Sequence, residues 1–475
     1  MTTLLAKPIV RCTGPCVERT RLLKHFQACI APNENLDRKL VSFQANRHVP
    51  FYGWFKYKEG FSSRLVEYFL GVLGGNTGTL LDPFAGAGSA LFAARDMGWN
   101  TIGIEVLPVG FYSIQARQAA EEATPDVLSR YLAQVEGSDL AAHWRERYAF
   151  KPLTIAQGAF PERNERELVG YIAYCHEHIR NPRVRTLMLF AAFCVLEAIS
   201  YTRKDGQYLR WDHRSNRSRG SKVFDKGKIQ NFKTEVCLKL RQMITDMRCQ
   251  ALFPRSMRGA IDVTLGSCLD VLPQMPDETV DFVLTSPPYC NRYDYTRTYA
   301  LELLFLGCDQ REINALRQQM LSCTVENREK HAYLKNVYST RNQLAAWDRV
   351  ERAFWGQKAL HEVLGVLDEY RQQDLLNNSN IVKMVHNYFY EMAFAIYEVS
   401  RVLKRGGTAV IVNDNVRYAG EEIPVDLVLC DIAERFGFHV KHIWTLPRGK
   451  GNSSQQMGNH GRSELRKCVY VWEKL

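Results

Sequence analysis

The sequence predicts an α/β protein whose core is a mostly parallel sheet of about seven strands, with large, mainly helical insertions. Three observations support this fold class. Residues 79–105 contain a strand, a small-residue loop, a helix and a second strand in succession. Further strand-like segments occur late in the chain. The stretches 116–260 and 300–380 are helical in pattern and too long for ordinary loops, so they predict inserted subdomains.

The first unit reads TLLDPFAGAGSALFAARDMGWNTIGIE, from residue 79 to residue 105. The strand Thr79–Leu81 leads into Asp82-Pro83 and the small-residue loop. The following helix, Ala90–Met97, is predicted to stop at Gly98, because glycine commonly ends a helix. The second strand, Thr101–Ile104, ends at Glu105. This succession predicts one β-α-β unit of a doubly wound sheet.

The remaining strands are predicted in the second half of the chain. They cover 261–266, 280–286 and 407–414, and the segments 439–446 and 468–475 are predicted to form a closing antiparallel pair. A helix is predicted over Phe389–Gly407, because Met392, Ile396, Val399 and Leu403 recur at helical spacing on one face.

These elements predict a core that the insertions divide into separate parts. The predicted organisation is an N-terminal extension at 1–50, a first part of the core with the small-residue loop at 51–115, a mainly helical insertion at 116–260 with a basic segment at 203–233, a catalytic part of the core at 261–300, a second helical insertion at 301–380, and a C-terminal part of the core at 381–475.

Composition excludes several classes of protein. Hydrophobic residues make up 46% and charged residues 24% of the 475 residues, which is typical of a soluble globular protein. No apolar run is long enough to span a membrane, and the N-terminus lacks the pattern of a signal peptide. The thirteen cysteines form no CxxC pair, so no metal site is predicted. The net charge of +11 suits a polyanionic partner.

The loop DPFAGAGS places Gly86 and Gly88 directly before a helix. Missing side chains let a ligand approach the backbone, and a helix N-terminus offers free N–H groups. Glu105 follows Gly86 by 19 residues. An acidic side chain at this spacing can accept hydrogen bonds from both hydroxyls of a ribose. A nucleoside-containing cofactor is favoured over a tight turn with a surface Glu. No Lys-Ser/Thr follows the loop as in a Walker loop, and Leu91 replaces the third glycine of dinucleotide enzymes.

A second motif, VDFVLTSPPY, ends a strand with a hydroxyl, two prolines and an aromatic ring. The Ser286 hydroxyl and the carbonyls around the prolines are rigid acceptors for the N–H hydrogens of an exocyclic base amine. Tyr289 can stack on that base. A base inside a duplex cannot reach this geometry, so it must be flipped out of the helix. The alternative is a proline-rich turn, but the preceding glycine loop favours the catalytic interpretation.

With these motifs the sequence resembles the S-adenosylmethionine-dependent amino-methyltransferases of DNA. DPFAGAGS resembles their motif I and TSPPY their catalytic motif IV. The segment Tyr52–Leu70 resembles the one that precedes motif I and helps to close the cofactor pocket, and EVSRVLKRGGTAVIV is typical of the helix and strand that follow motif IV. The resemblance covers 51–112, 261–305 and 385–475, which is close to half of the chain.

The resemblance implies a Rossmann-like class I methyltransferase core, S-adenosylmethionine as cofactor, and direct methyl transfer without a covalent enzyme intermediate. It also implies residue roles. Asp82, Phe84, Gly86 and Gly88 shape the pocket for the methionine part of the cofactor, Glu105 binds the ribose, Asp270 contacts the adenine, and Ser286, Pro287, Pro288 and Tyr289 activate and stack the target base.

Serine before Pro-Pro-Tyr is more usual in the N4-cytosine enzymes of that family, and Asp or Asn in the N6-adenine enzymes. We therefore expect a site-specific cytosine-N4 methyltransferase of double-stranded DNA. The open alternatives are an N6-adenine enzyme, an RNA methyltransferase, and an inactive nucleic-acid-binding protein. A cognate restriction or defence nuclease is an expected partner, and a prokaryotic, cytoplasmic and nucleoid-associated location is expected. The cofactor motif precedes the catalytic motif, which is not the most common order for a Ser-Pro-Pro-Tyr enzyme.

Basic segments are candidates for DNA contact. Residues 203–233 carry ten Lys or Arg against three Asp, with aromatic residues interleaved, a pattern that suits phosphates and exposed bases but also a solvated loop. The predicted contacts are Arg210, Arg214, Arg217, Arg219 and Lys222 in this segment, Arg292 and Arg297 after the catalytic motif, and Arg448 and Lys450 in the polar loop Pro447–Lys467.

Overall fold

The computed structural model describes residues 16–206, 208–217, 223–250, 258–447 and 465–475. Its strands are β1 (Ile30–Pro32), β2 (Thr79–Asp82), β3 (Asn100–Glu105), β4 (Thr202–Asp205), β5 (Tyr208–Trp211), β6 (Ile261–Leu265), β7 (Val280–Thr285), β8 (Leu403–Asp414), β9 (Val416–Tyr418), β10 (Glu421–Ile423), β11 (Phe438–Thr445) and β12 (Lys467–Lys474).

The α-helices occur before, between and after these strands. They are α1 (Val17–Phe26), α2 (Ser63–Leu73), α3 (Ser89–Asp96), α4 (Pro108–Glu122), α5 (Pro125–Gly137), α6 (Glu162–His178), α7 (Pro182–Ile199), α8 (Phe232–Gln250), α9 (Cys268–Val271), α10 (Tyr295–Thr298), α11 (Ala300–Phe305), α12 (Gln310–Gln319), α13 (His331–Ser339), α14 (Leu344–Trp355), α15 (Lys358–Gln372), α16 (Ile381–Val402) and α17 (Val425–Arg435).

The main sheet has eight strands in the order β1-β11-β12-β8-β7-β2-β3-β6. Only β12 runs antiparallel to its neighbours, so the predicted closing antiparallel pair of β11 and β12 is present. The sheet has one strand more than the seven predicted. The additional strand is β1, which pairs in parallel with β11 within the predicted N-terminal extension. A strand of three residues that ends in a proline is too short to give an alternating pattern in the sequence.

The strand order reverses at β2, and this reversal positions the site. From β2 the chain proceeds to β3 and β6 on one side, whereas β7 and β8 lie on the other side. In open parallel sheets a crevice forms at such a switch point, outside the carboxyl ends of the strands. Asp82, Glu105, Thr285 and Asp414 are the last residues of β2, β3, β7 and β8, so these polar side chains share that edge.

Helices cover both faces of the sheet because its central strands are apolar on both sides. On one face Leu80, Phe282 and Val410 pack with the buried side chains of α2 and α3. Their neighbours Leu81 and Val283 belong to the larger core on the other face, which includes α16 and α17. Side chains that alternate in this way have the period of two that a buried strand requires.

The helix before β8 ends earlier than the sequence predicts. The expected helix covered Phe389–Gly407, but α16 covers Ile381–Val402 and the chain enters β8 at Leu403. Leu403 pairs with Val280 of β7, and Gly406 has a φ of 74°, which is outside the helical region. Pairing with the sheet therefore ends the helix before its apolar pattern ends.

Both predicted insertions are mainly helical. The stretch 116–260 contains α5 to α8 and the antiparallel hairpin of β4 and β5, and its apolar side chains form a core of their own together with Trp54, Phe55 and Leu301. The stretch 301–380 contains α12 to α15. The buried residues of α13, α14 and α15 join the core under α16, whereas Ile313 and Leu316 of α12 pack into the core of the first insertion. The predicted boundaries of these parts stay predictions. Within the described residues, every helix is too short or too polar to cross a membrane.

Candidate active site

A cavity opens at the carboxyl ends of β2, β3, β6 and β7. Its walls combine the glycine loop, the end of β3, the turn after β6 and the start of the Ser-Pro-Pro-Tyr motif. The residues most relevant to chemistry are Tyr57, Glu59, Asp82, Phe84, Gly86, Glu105, Ser267, Ser286 and Pro288. The cavity thus brings together residues from both motifs that the sequence singles out.

The glycine loop brings backbone directly to the cavity wall. Gly86 has a φ of 54°, and a Cβ atom there would lie 3.0 Å from Cε1 of Tyr57. Gly88 has a φ of 78° and is not part of the wall, since a Cβ atom there would lie 2.9 Å from Cγ1 of Ile114. The two glycines therefore differ: Gly86 leaves space toward the cavity, whereas Gly88 permits the tight packing at the start of α3.

Glu105 is buried at the base of the cavity and holds two loops together. Its Oε2 accepts a hydrogen bond from the Gly86 N–H at 2.6 Å, and its Oε1 accepts one from the Leu107 N–H at 2.6 Å. Burial raises the pKa of Glu105 to about 8, although both hydrogen bonds favour the ionised form. Each carboxylate oxygen has a second lone pair, so the side chain can still accept hydrogen bonds from a ligand.

Asp82 connects the glycine loop to the strand of the catalytic motif. Its Oδ1 accepts hydrogen bonds from the Phe84 N–H at 3.0 Å and from the Thr285 hydroxyl at 2.6 Å. The side chain is buried, and this burial raises the pKa of Asp82 to about 7. Asp82 and Glu105 are therefore two neighbouring carboxyl groups whose protonation states change with pH near neutrality.

The structure does not bring Asp270, the residue expected at the adenine, to the cavity. Its Oδ1 accepts a hydrogen bond from the Tyr333 hydroxyl instead. Gly266, Ser267 and Cys268 line the cavity at this position. Asp270 lies on the single turn α9, three residues after its N-cap Ser267, and a helix changes side-chain direction by about 100° per residue. The sequence alone does not show which of these residues faces the cavity.

The Ser-Pro-Pro-Tyr motif begins directly after β7 and lies between two spaces. Ser286 and Pro288 line the cavity, whereas Tyr289 lines a second, wider cleft, and Pro287 is buried beside them. The Ser286 hydroxyl donates a hydrogen bond to the Tyr289 hydroxyl oxygen at 3.4 Å. Desolvation by the surrounding protein raises the pKa of the Tyr289 hydroxyl well above its ordinary value, so this side chain stays neutral. The motif is thus placed to contact molecules on either side.

The second cleft is large and mostly basic. Its walls come from the segment before α2, the loop after β7, the end of β8, the start of β12, and Gly206 at the turn of the β4–β5 hairpin. Its charged and titratable side chains, apart from the tyrosines, are Arg38, Lys39, Arg47, His48, Lys56, Lys58, Lys467, Glu59 and Asp414. Basic side chains outnumber acidic ones, which suits a negatively charged ligand.

Among the predicted nucleic-acid contacts in the segment 203–233, three are described and all have partners within the protein. Arg210 lies 3.1 Å from Asp205 in an ion pair, and Arg214 lies 2.7 Å from the buried Asp212. Arg217 donates hydrogen bonds to the backbone carbonyls of Gln157 and Thr154, at 2.8 Å and 3.0 Å. Arg210 and Arg214 thus pair within the segment, whereas Arg217 joins it to another part of the insertion. The role of all three toward DNA stays a prediction.

The two arginines after the catalytic motif are also paired. Arg292 has a φ of 66° and donates a hydrogen bond to Oδ1 of Asn377 at 3.0 Å. Arg297 lies 2.8 Å from Glu326 and 3.2 Å from Asp294. The remaining predicted contacts, Arg219, Lys222, Arg448 and Lys450, lie outside the described residues.

Several residues that line the cavity or the cleft are not among the site residues predicted from the sequence. Tyr57 and Glu59 come from the segment 52–70, whose resemblance pointed to the cofactor pocket but to no single residue in it. Asp414 ends β8 as Asp82 ends β2, and this shared position is a signal in the sequence that could have identified it. Lys39 and Arg47 lie in the predicted N-terminal extension, where nothing in the local pattern indicates that they reach the cleft.

The fold and the site define an α/β enzyme with a cofactor cavity at the switch point of its sheet, and comparison with known proteins supplies the family. No family model matches the chain. The chain is 44% identical over 459 residues to the Type II methyltransferase M.AvaI of Nostoc sp. (strain PCC 7120 / SAG 25.82 / UTEX 2576), covering 95% of this chain and 92% of the relative. M.AvaI of Anabaena variabilis gives the same values. The Type II methyltransferase M.BsoBI of Geobacillus stearothermophilus is 40% identical over 478 residues, covering 97% of this chain and 93% of the relative.

The chain belongs to the Type II DNA methyltransferases, enzymes of restriction–modification systems. S-adenosylmethionine is the methyl donor, and the predicted cofactor is thereby confirmed. The cavity fits this cofactor. It offers aromatic walls, a glycine that leaves room beside Tyr57, and the buried carboxyl groups of Asp82 and Glu105, which suit a ligand with a cationic ammonium and sulfonium group.

Proposed function

We propose that the protein methylates the N4 amine of cytosine at a specific site in double-stranded DNA. The observation that carries this proposal is the position of Ser286–Tyr289, between the cofactor cavity and the basic cleft. The choice of cytosine rests on serine as the first residue of the motif. A base can reach this junction only when it has left the duplex, so base flipping is part of the proposal.

In this mechanism the protein positions and polarises the amine. Asp82, Phe84, Gly86 and Glu105 would hold the cofactor, which supplies an electrophilic methyl group when bound. The Ser286 hydroxyl oxygen and the backbone carbonyls around Pro287 and Pro288 would accept the N–H hydrogens of the target amine. This arrangement directs the nitrogen lone pair toward the methyl group.

Tyr289 would stack on the flipped base from the cleft side. Its half-buried ring belongs to the wall of the basic cleft, whereas Ser286 belongs to the wall of the cavity. Stacking on an aromatic ring contributes about 1–3 kcal/mol per base and so offsets part of the cost of flipping. The neutral ring avoids placing a negative charge beside the base.

The basic cleft is the proposed path for the DNA backbone. Its lysines and arginines would neutralise phosphates near the flipped nucleotide. Gly206 places the β4–β5 hairpin at the rim, so the basic segment 203–233 borders the same surface. Arg210, Arg214, Arg217, Arg292 and Arg297 remain proposed contacts outside the cleft wall. A cognate nuclease that cuts the unmethylated site is the proposed partner in the cell.

The test is methylation of unmodified plasmid DNA by the purified protein with labelled S-adenosylmethionine, followed by mass spectrometry of the nucleosides. N4-methylcytosine is the expected product. N6-methyladenine would replace the proposed base, and label in RNA alone would replace the proposed substrate. Cofactor binding without label in any nucleic acid would indicate an inactive binding protein and would refute the proposal.

A further inference from the structure

We propose that Glu59 is a further catalytic residue, whose carboxylate accepts a proton from the target amine as the methyl group is transferred. The inference rests on the proposed function, but it holds for either cytosine or adenine, because both carry an exocyclic amine. The Ser-Pro-Pro-Tyr motif itself contains no carboxylate, and Glu59 is the nearby acidic side chain that the cavity and the cleft share.

The position of Glu59 is the first argument. Among the described residues, Phe43, Glu59 and Gly60 line both the cofactor cavity and the basic cleft. Methyl transfer must take place where these two spaces meet, because the donor occupies one and the base enters from the other. Of the three shared residues only Glu59 has a side chain that can exchange a proton.

The conformation and environment of Glu59 are the second argument. Its φ is 64°, in the left-handed region that non-glycine residues seldom adopt and that concentrates at functional sites. Its side chain is exposed to the cleft, and its carboxylate makes no hydrogen bond or ion pair with another residue in the described part of the chain. The backbone thus holds an available carboxyl group at the junction.

The groups around Glu59 set its proton affinity. Lys58 belongs to the same segment as Glu59, and Tyr289 and Tyr293 belong to the loop after β7. Tyr295 begins α10, Asp414 ends β8 and Lys467 begins β12. The surrounding protein desolvates the carboxyl group in part, although one side of it faces the cleft. This partial desolvation, reinforced by Asp414, raises the pKa of Glu59 above its ordinary value, and Lys467 and Lys58 oppose the shift. A carboxylate with a raised pKa is a better proton acceptor.

The proposed step balances in atoms and charge. The lone pair of the amine nitrogen forms the new N–C bond while the methyl–sulfur bond breaks, and the electron pair of that bond goes to sulfur. The amine nitrogen would then carry a positive charge and two hydrogens. One N–H bond breaks, its electron pair stays on nitrogen, and the proton goes to the Glu59 carboxylate. The products are a neutral methylated amine and a neutral carboxyl group, which later releases its proton to solvent.

Asp414 is a less suitable acceptor in the same cleft. Its Oδ2 lies 2.9 Å from Nζ of Lys467 in an ion pair, so its charge is already compensated. It lines the cleft without reaching the cofactor cavity. Its negative charge nevertheless raises the proton affinity of Glu59.

The experiment compares Glu59→Gln with the wild-type enzyme in single-turnover methylation of plasmid DNA by labelled S-adenosylmethionine, across a range of pH. Single turnovers report the chemical step and exclude product release. Glu165→Gln is the matched control, because Glu165 also has a raised pKa from burial but lies on α6, away from both spaces. Binding of the cofactor and of the same plasmid DNA is measured for every variant.

We expect Glu59→Gln to lower the single-turnover rate about 10²-fold or more, with both binding affinities within about twofold of wild type. The wild-type rate should rise with pH as Glu59 loses its proton, whereas the Glu59→Gln rate should not show this rise. Glu59→Asp should recover part of the rate, because it restores a carboxylate at a shorter reach.

Two results would overturn the inference. One is a Glu59→Gln enzyme with the wild-type rate and pH profile, and the other is a loss of rate that weakened cofactor binding fully accounts for. Absence of DNA methylation gives a different result, because the wild-type enzyme itself would then leave DNA unlabelled. A change of target base from cytosine to adenine would leave the comparison of the Glu59 variants unchanged.

Discussion

Two buried carboxyl groups govern how the cofactor cavity responds to pH. Burial raises the pKa of Asp82 to about 7 and that of Glu105 to about 8, so both groups hold protons in the empty cavity at neutral pH to a substantial extent. A cationic ligand favours their ionised forms. Both pKa values exceed the ordinary values of 3.8 and 4.5. The stability that these groups contribute is therefore fully present below those ordinary values and is lost progressively as pH rises through them to about 7 for Asp82 and about 8 for Glu105.

S-adenosylmethionine binding should therefore release protons, and its affinity should rise between about pH 6 and about pH 8.5. Calorimetry in two buffers with different ionisation enthalpies measures the number of protons released. The Asp82→Asn variant should release fewer protons than the wild type, because one of the two titrating groups is gone. Binding without proton release at neutral pH would contradict the raised pKa values.

Ser286 and Tyr289 should separate chemistry from cofactor binding. Ser286→Ala removes an acceptor for the amine, and Tyr289→Ala removes the stacking surface, so each should lower DNA methylation by about 10²-fold or more. Cofactor affinity should change by less than about threefold, because Tyr289 lies in the cleft and Ser286 only borders the cavity. Fluorescence titration with the cofactor and radiolabel transfer to DNA measure the two effects. A parallel loss of both would mean that the motif supports the cavity rather than the base.

Prediction of residue positions from the sequence succeeded where a motif combines with the end of a strand, whereas the roles of these residues stay predictions. Asp82, Glu105 and Ser286 each follow or end a predicted strand, so the parallel sheet places them together. It failed for Asp270, because the direction of a side chain on a single helical turn depends on where that turn begins. It also missed Glu59, because its importance comes from a left-handed backbone and from two spaces that distant segments form.

At the scale of elements, the β-α-β unit around the glycine loop was predictable almost to the residue. The strand β2 extends the predicted strand Thr79–Leu81 by one residue. The predicted helix Ala90–Met97 differs from α3 by one residue at each end. The tight turn between them depends on backbone conformations that favour glycine. The later elements were less exact, since pairing of Leu403 with β7 ends α16 before its apolar pattern does.

Gly86→Ala should weaken cofactor binding through the space that it fills. The new methyl group would lie about 3.0 Å from the Tyr57 ring and would narrow the cavity. Gly307→Ala is the matched control, because Gly307 also has a positive φ, 81°, but no atom lies within 4 Å of the added Cβ. Both variants should lose about 1–2 kcal/mol of stability from backbone strain, and only Gly86→Ala should lose cofactor affinity. Thermal unfolding and cofactor titration test this expectation, which equal affinities in the two variants would refute.

At the scale of the whole molecule, buried ion pairs connect the insertions to the rest of the chain. Lys204 of the hairpin pairs with Glu302 of α11, and both side chains are buried. In the second insertion Nζ of Lys330 lies 2.8 Å from Oε2 of Glu391 on α16, and Ser322 also donates to this carboxylate. Buried charges require such partners, so each pair fixes an insertion in one position. The sequence predicts the helices but not these pairings, which join residues up to 98 positions apart.

Removing one member of a buried pair should cost far more than removing both. Lys330→Met leaves the Glu391 carboxylate without its cation and should lower the free energy of unfolding by about 3–5 kcal/mol. The double variant Lys330→Met, Glu391→Leu should recover part of this loss. Lys441→Ala, which removes an exposed ion pair with Glu473, is the control and should cost less than about 1 kcal/mol. Denaturant unfolding provides the values, and an equal loss in Lys330→Met and Lys441→Ala would count against the buried pair as a structural tie.

The basic cleft connects parts of the molecule that the sequence separates widely. Its walls include residues near position 40, the segment before α2, the loop after β7 and the start of β12. The net charge of +11 indicates a polyanionic partner without locating its surface. The segment 203–233 is rich in Lys and Arg, yet three of its arginines have partners within the protein: Arg210 and Arg214 within the segment, and Arg217 at the backbone of Gln157 and Thr154. The folded chain therefore forms a second candidate surface for DNA, the cleft, which the density of charged residues along the sequence does not indicate.

Removing cations from the cleft wall should weaken DNA binding in a salt-dependent way. Lys39, Arg47 and Lys56 are exposed and line the cleft, so replacing all three by alanine should lower the affinity for plasmid fragments at low salt. If each contacts a phosphate, the slope of log affinity against log salt should fall in magnitude by about 2.7, at about 0.9 per contact. Arg405→Ala is the control, because Arg405 lies near the start of β8, at the opposite end of that strand from the cleft. Cofactor binding should stay unchanged in both variants. An unchanged salt slope in the triple variant would place the DNA backbone on another surface.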